Sequence, residues 1–140
     1  MNICDIMKRN VFFVRPSTSV KEAARLMHDE HVGALPVLDL AENKVVGMIT
    51  DRDICCKVTA TGRNAVMTNV GDVMATNIAT CFSDQDINDV AYLMASHQIH
   101  RIPVLDKDDH LAGIVSVDDL ARKSHDLAST VLEASAAPLH

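Results

Sequence analysis

Two four-residue stretches carry the clearest chemistry in the chain: Thr50-Asp51-Arg52-Asp53 and Ser116-Val117-Asp118-Asp119. Each sets a hydroxyl three places ahead of a carboxylate, where an apolar run gives way to a helical pattern. At a helix N-terminus, hydroxyls and free backbone amides suit a phosphate or ribose oxygen. The same spacing also makes a reciprocal cap, in which the hydroxyl and the carboxylate each satisfy an orphan amide. His100 and Arg101 add a different capability. The guanidinium is a fixed-charge fork for anionic oxygens, and the imidazole is a donor whose charge depends on pH. Their plainer role is a solvated pair at a strand entrance. Arg52 projects from a helix start, or pairs with Asp51 at the surface for little gain.

Other constellations say less. His28/His31 and His97/His100 are i, i+3 pairs at helix ends without a third nearby ligand, so no metal is expected. Asp106, Asp108 and Asp109 fall in a turn, where Asp is favoured anyway. Cys4, Cys55, Cys56 and Cys81 contain no C-x-x-C pair and read as reduced thiols of an intracellular protein. There is no Ser-His-Asp order, phosphate-binding glycine loop or carboxylate pair with a defined cleft. Catalysis is not expected.

The elements that position these residues occur twice. Asp5-Ile6-Met7 returns as Asp72-Val73-Met74, Ala24-Arg25-Leu26-Met27 as Ala91-Tyr92-Leu93-Met94, and Leu35-Pro36-Val37-Leu38-Asp39 as Ile102-Pro103-Val104-Leu105-Asp106, all at an offset of 67 (Asp5 to Asp72). One deletion later the offset is 66, and Gly47 through Asp53 match Gly113 through Asp119. Thirteen of 52 aligned positions between Asp5 and Lys57 are identical in ordered spacing, which excludes coincidence. The first copy occupies residues 3–60, a turn-rich linker 61–69, the second copy 70–126, and residues 127–140 form a helix end or tail.

Within a copy the pattern reads β-α-β-β-α. Val11–Val14 is a short β-rich run stopped by Arg15-Pro16, and Ser19-Val20-Lys21-Glu22 has capping-box spacing. Val20, Ala23, Ala24, Met27 and His31 share a helix face, with Val32 and Gly33 ending the helix. Leu35–Leu38 and Val45–Ile49 are strands around a polar turn, and Thr50 or Asp51 caps a second helix to about Val58. Asp86 takes the capping role in the second copy. The fold class is α/β (α+β), with two repeats packed in pseudo-two-fold symmetry. A ~60-residue unit buries only about 60% of its unfolded surface, so the copies need each other.

Composition narrows the function. The 140 residues carry a net charge of −6, which argues against nucleic acid as partner. A hydrophobic share of 48% with 23% charged is that of a folded globular chain. No apolar run reaches the ~18 residues of a membrane span and no signal peptide is apparent, so a cytoplasmic protein without membrane contact is expected. Aromatics are only 3%, so Val, Ile, Leu, Met and Ala must build the core.

The doubled Asp-hydrophobic-Met opening, the hydrophobic-Pro-Val-hydrophobic-Asp strand and the Gly-x-hydrophobic-[Thr/Ser]-x-x-Asp run resemble a pair of CBS domains, the Bateman module. The likeness covers about 120 of the 140 residues. Thr50-Asp51-Arg52-Asp53 is similar to the copies in IMP dehydrogenase and in stand-alone bacterial CBS-pair proteins. His100-Arg101-Ile102-Pro103-Val104 is similar to a copy in the gamma subunit of the AMP-activated protein kinase. The chain has no room for a catalytic barrel or a kinase.

The resemblance implies a regulatory module that holds an adenosyl ligand in the cleft between the copies. The ligand would be AMP, ADP or ATP, or in some members NAD or S-adenosylmethionine. It implies that Asp53 and Asp119 accept ribose hydroxyls beside Thr50 and Ser116, and that His100 and Arg101 face the phosphates. Ile78 and Ala79, with Val11 and Phe12, would wall the adenine, and Arg52 and Ile102 complete the set. Gly47 and Gly113 would let a strand end approach the ligand. Gly33 and Ala34 stand where the second copy has His100 and Arg101, so the two sites are expected to be unequal unless Arg52, projecting towards the cleft, compensates in the first. A homodimer and an effector protein are the implied partners. The competing expectation is a structural or dimerisation module that binds no ligand.

Overall fold

The structure is a computed structural model that describes residues 1–136. The chain divides into two compact units: Phe12–Ile78, and Met1–Val11 together with Ala79 onward. This partition differs from the repeats. Each copy's opening segment packs with the other copy's body.

In the continuous unit, α1 (Val20–Glu30) is opened by Ser19, whose Oγ accepts the Glu22 amide at 3.1 Å. Val20, Ala23 and Met27 bury one face, as the helical spacing dictates. The helix stops earlier than Val32-Gly33 implied. His31 turns into the left-handed region at φ 56°, and the Val32 amide reaches back to the Met27 carbonyl at 3.0 Å. That bond satisfies a terminal carbonyl without needing a glycine. Antiparallel β1 (Ala34–Asp39) and β2 (Lys44–Thr50) follow, with a bulge after Val37. α2 (Asp51–Ile54) continues as a π-helical stretch, Cys55–Thr59.

Two expectations change here. The Val11–Val14 strand reduces to a single parallel bridge between Val14 and Val37: the chain leaves one unit for the other between Val11 and Phe12, and the turn at Pro16 stops any extension beyond Val14. The 61–69 stretch is built structure. Thr68 is buried with its hydroxyl donating to the Asn64 carbonyl at 2.7 Å, and its own carbonyl accepts the Val20 amide at 2.9 Å. This segment therefore helps to start α1.

The discontinuous unit holds the full β-α-β-β-α order. β3 (Cys81–Phe82) lies parallel to β4 (Arg101–Leu105), which pairs antiparallel with β5 (Leu111–Ser116). α3 (Ile87–His97) is capped by Asp86, whose carboxylate accepts the Asn88 amide at 2.8 Å. Those Asn88 bonds, backbone first and then side chain, hold the Asp86 carboxyl below its usual range. After α4 (Val117–Ala121), α5 (His125–Ala136) sends Ala128 and Val131 into the core, so the helical portion of the expected tail is a packed element. Residues 137–140 lie outside the described residues.

Ile3 and Met7, from the first copy's opening, sit in this same core with Met94, Ile102 and Leu120. Two backbone bonds of 2.9 Å join Lys8 and Ile114 in both directions. The glycine opposite that crossing is obligatory: a Cβ on Gly113 would lie 2.7 Å from both the Lys8 carbonyl and the Met7 sulfur. A Cβ on Gly47 would likewise lie 2.7 Å from the Ala75 carbonyl and the Met74 sulfur. The sequence suggested that these glycines clear space for a ligand. In the structure they clear space for the chain itself.

All four cysteines are free, but they differ in reach. Cys81 is fully buried, and burial pushes its thiol up to about 12. Burial thus holds it in the protonated form rather than the reactive thiolate. Iodoacetamide at pH 8 should therefore modify exposed Cys55 and Cys56 and spare Cys81 until denaturant is added. Peptide mass spectrometry showing Cys81 alkylated as fast as Cys55 in the folded protein would contradict this packing.

Candidate functional site

The second-repeat residues converge through strand register. In the β4–β5 ladder Arg101 stands opposite Ser116, and Ile102 opposite Val115. Directly opposed residues leave an antiparallel sheet on the same face, so the exposed Arg101 shares a face with the Ser116 hydroxyl. Ser116 is also the N-cap of α4, and the Val117 amide donates to the His100 carbonyl at 2.9 Å. One hairpin end thus gathers His100, Arg101, Ser116 and Asp119.

Asp119 is the best-held residue of the group. Its Oδ2 accepts from the Ser116 amide at 2.9 Å and from the Ser116 hydroxyl at 3.0 Å, and the Asp119 amide donates back to Oγ at 3.3 Å. Its Oδ1 takes Arg122 Nη1 at 2.9 Å. The carboxylate is 1% exposed while the guanidinium is 65% exposed, so the pair anchors a buried acid to a solvated cation. The capping role is therefore real, and any ligand role is added to it. Sequence reasoning missed Arg122, although its spacing of three from Asp119 is an ion-pair signal on a helix.

The first repeat repeats the frame with other chemistry. Ala34 stands opposite Thr50, whose Oγ1 accepts the Asp53 amide at 3.1 Å while Asp53 Oδ2 accepts the Thr50 amide at 3.0 Å. Lys57, also missed, sits 3.2 Å from Asp53 Oδ1 and donates to the Val73 carbonyl at 3.1 Å. Asp53 is 17% exposed, a looser setting than that of Asp119. The Asp51 amide donates to the Gly33 carbonyl at 2.9 Å. It is the Arg52 amide that meets the Asp51 carboxylate, at 2.8 Å. The exposed Arg52 thus sits at the second position of α2.

The remaining site residues are placed less favourably. Ile102 is fully buried in the core, so its side chain belongs to the packing and only its backbone borders the group. Ile78 and Ala79 are half-buried in an irregular segment, and the boundary between the units falls between them. Phe12 and Ala79 each pack on their own unit's core. Two surface grooves, of about 400 Å3 around Phe13, Glu22 and Arg25 and about 560 Å3 around Phe82, Asp84 and Lys107, include none of the site residues named from sequence. No buried side-chain polar atom lacks a hydrogen-bond partner among the described residues.

Among the described residues, neither His pair has a third His, Cys, Asp or Glu placed to share a metal ion. His97 Nδ1 lies 3.0 Å from the Leu93 carbonyl and His28 Nδ1 3.2 Å from Asp29. Among the described residues no group of three or more His, Cys, Asp or Glu could hold a metal ion, and no helix is long and apolar enough to cross a membrane.

The duplicated frame has clear relatives. The chain is 40% identical over 120 residues to the CBS domain-containing protein YhcV of Bacillus subtilis, covering 86% of this chain and 83% of that protein. A crystal structure of hypoxic response protein I with two coordinated zinc ions superposes at TM-score 0.80 and 30% identity, covering 89% of this chain and 99% of that one. The CBS domain pair of protein MJ0100, in complex with 5′-methylthioadenosine and S-adenosyl-L-methionine, superposes at TM-score 0.77 and 28% identity, covering 87% and 94%. The CBS domain family itself matches residues 3–58 and again 70–126. With the motif, the strand register and the capped Asp present in both copies, this chain belongs to the CBS domain family as a tandem pair.

Proposed function

We propose that the chain is a non-catalytic regulatory module that binds an adenine nucleotide (AMP, ADP or ATP) at the second-repeat site and signals to a partner protein. The observation that carries this reading is the β4–β5 register, which sets Arg101 beside Ser116 at the hairpin end that also holds His100 and Asp119. Arg101 and His100 supply the phosphate contacts, and Ser116 with Asp119 the ribose contacts. The adenosyl ligands of the MJ0100 pair support the ligand class. A homodimer in the cytoplasm goes with this reading. Tyr92 on α3 and Leu132 on α5, 75% and 45% exposed, offer apolar surface to a second copy.

A second reading, an interaction module without ligand, is favoured by the way Ser116 and Arg122 already engage both oxygens of Asp119. Thermal melts separate the two. A nucleotide at about a hundredfold over its Kd adds about 2.7 kcal/mol to stability. Arg101 is exposed, so Arg101→Ala should leave the ligand-free melt unchanged and remove most of the nucleotide's shift. A melting curve that does not respond to AMP, ADP or ATP would leave only the interaction reading.

A further inference from the structure

The two repeats differ in a matched pair of positions. In the second repeat the Val117 amide donates to the His100 carbonyl; at the equivalent place in the first, the Asp51 amide donates to the Gly33 carbonyl, both at 2.9 Å. Histidine goes with valine, and glycine goes with an acid. The reason lies in the space above Gly33. A Cβ there would meet Asp51 Oδ2 at 2.9 Å, so the carboxylate occupies the volume that a side chain at this position would enter. The other aspartate oxygen accepts the Arg52 amide at 2.8 Å, which orients the group. Ala34 replaces Arg101 opposite the N-cap hydroxyl. Lys57 is committed to Asp53 and to the Val73 carbonyl. The first site therefore exchanges a histidine and an arginine for a carboxylate, and carries Arg52 next to it where the second repeat has Asp118.

From this we infer that the first-repeat site, around Thr50 and Asp53, takes an adenosyl compound without an anionic 5′ group, and that Asp51 is the residue that rejects phosphate there. The inference rests on the nucleotide reading proposed above and assigns a different ligand class to the other site. A like charge a few ångströms away in a solvated site lowers affinity by about tenfold. Asp51 is exposed and its removal opens no core, so the site's fold survives the test.

Isothermal titration of the whole chain with adenosine and with AMP decides it. Adenosine should fill two sites per chain and AMP one. Asp51→Asn should raise AMP affinity at the first-repeat site about tenfold, giving a second AMP per chain, and leave adenosine affinity within twofold. Gly33→His combined with Asp51→Val, which installs the second repeat's pair, should strengthen AMP binding further. Equal filling of both sites by AMP in the unsubstituted chain would overturn the inference, as would an Asp51→Asn effect of the same size on adenosine and AMP. Loss of the whole nucleotide reading looks different: neither compound binds at all.

Discussion

Gly113→Val should destabilise the discontinuous unit by about 3 kcal/mol, the upper end of what overpacking a close contact costs. The Cβ alone would sit 2.7 Å from the Lys8 carbonyl and from the Met7 sulfur. Methionine can swing aside, but the carbonyl is fixed by the paired 2.9 Å bonds between Lys8 and Ile114. The substitution must therefore lift the N-terminal segment off β5, and Ile3 and Met7 leave the core with it. Gly47→Val should do the same to the continuous unit, where Met48 and Ala75 exchange backbone bonds of 3.0 and 2.9 Å. Gly62→Ala is the control. Gly62 has φ +76° and open space around it, so only backbone strain of roughly 1–2 kcal/mol is at stake. Urea unfolding measures all three, and a Gly113→Val protein within 0.5 kcal/mol of the parent (about the scatter of a neutral change) contradicts the packing.

Asp119→Ala should cost about 2–4 kcal/mol even with no ligand present. It removes the reciprocal cap of α4, leaves the Ser116 amide without its acceptor, and frees Arg122 from a buried partner. Asp53→Ala, in the more exposed counterpart, should cost only about 1 kcal/mol. Chemical denaturation of both variants tests the ranking, and equal losses would deny that burial separates the two caps. Loss of ligand binding on Asp119→Ala thus mixes folding with recognition. Arg101→Ala is the cleaner probe of binding.

Local chemistry made much of this legible beforehand. Ser19, Asp86, Thr50 and Ser116 all cap the helices that their spacing announced, because a cap depends on residues within three positions. The hairpin turns follow the same logic: Asp106 Oδ1 accepts the Asp108 and His110 amides, and those bonds, His110 foremost, keep its carboxyl below the usual range. What escaped was non-local. Nothing near Gly47 or Gly113 says that a methionine and a carbonyl from a distant segment will press on them. Nothing in Val11–Val14 says that the chain changes units between Val11 and Phe12 and keeps only one bridge. The site was legible as residue types, and Arg122 and Lys57 at ion-pair spacing, whereas the second bond of Lys57 to the Val73 carbonyl and the acid over Gly33 emerged only with side-chain positions.

The segment exchange sets an order on biosynthesis. Phe12–Ile78 is continuous and can close as soon as it clears the ribosome. Ile3 and Met7 must wait for a sheet encoded beyond those 67 residues. That sheet is complete only at Ser116, 109 residues after Met7 (116 − 7), so at 5–20 residues per second the apolar side chains stay exposed on the nascent chain for roughly 5–22 s. Expressing residues 70–126 alone would deny their core Ile3 and Met7 altogether, so the family's repeat boundary is the wrong place to cut a soluble fragment.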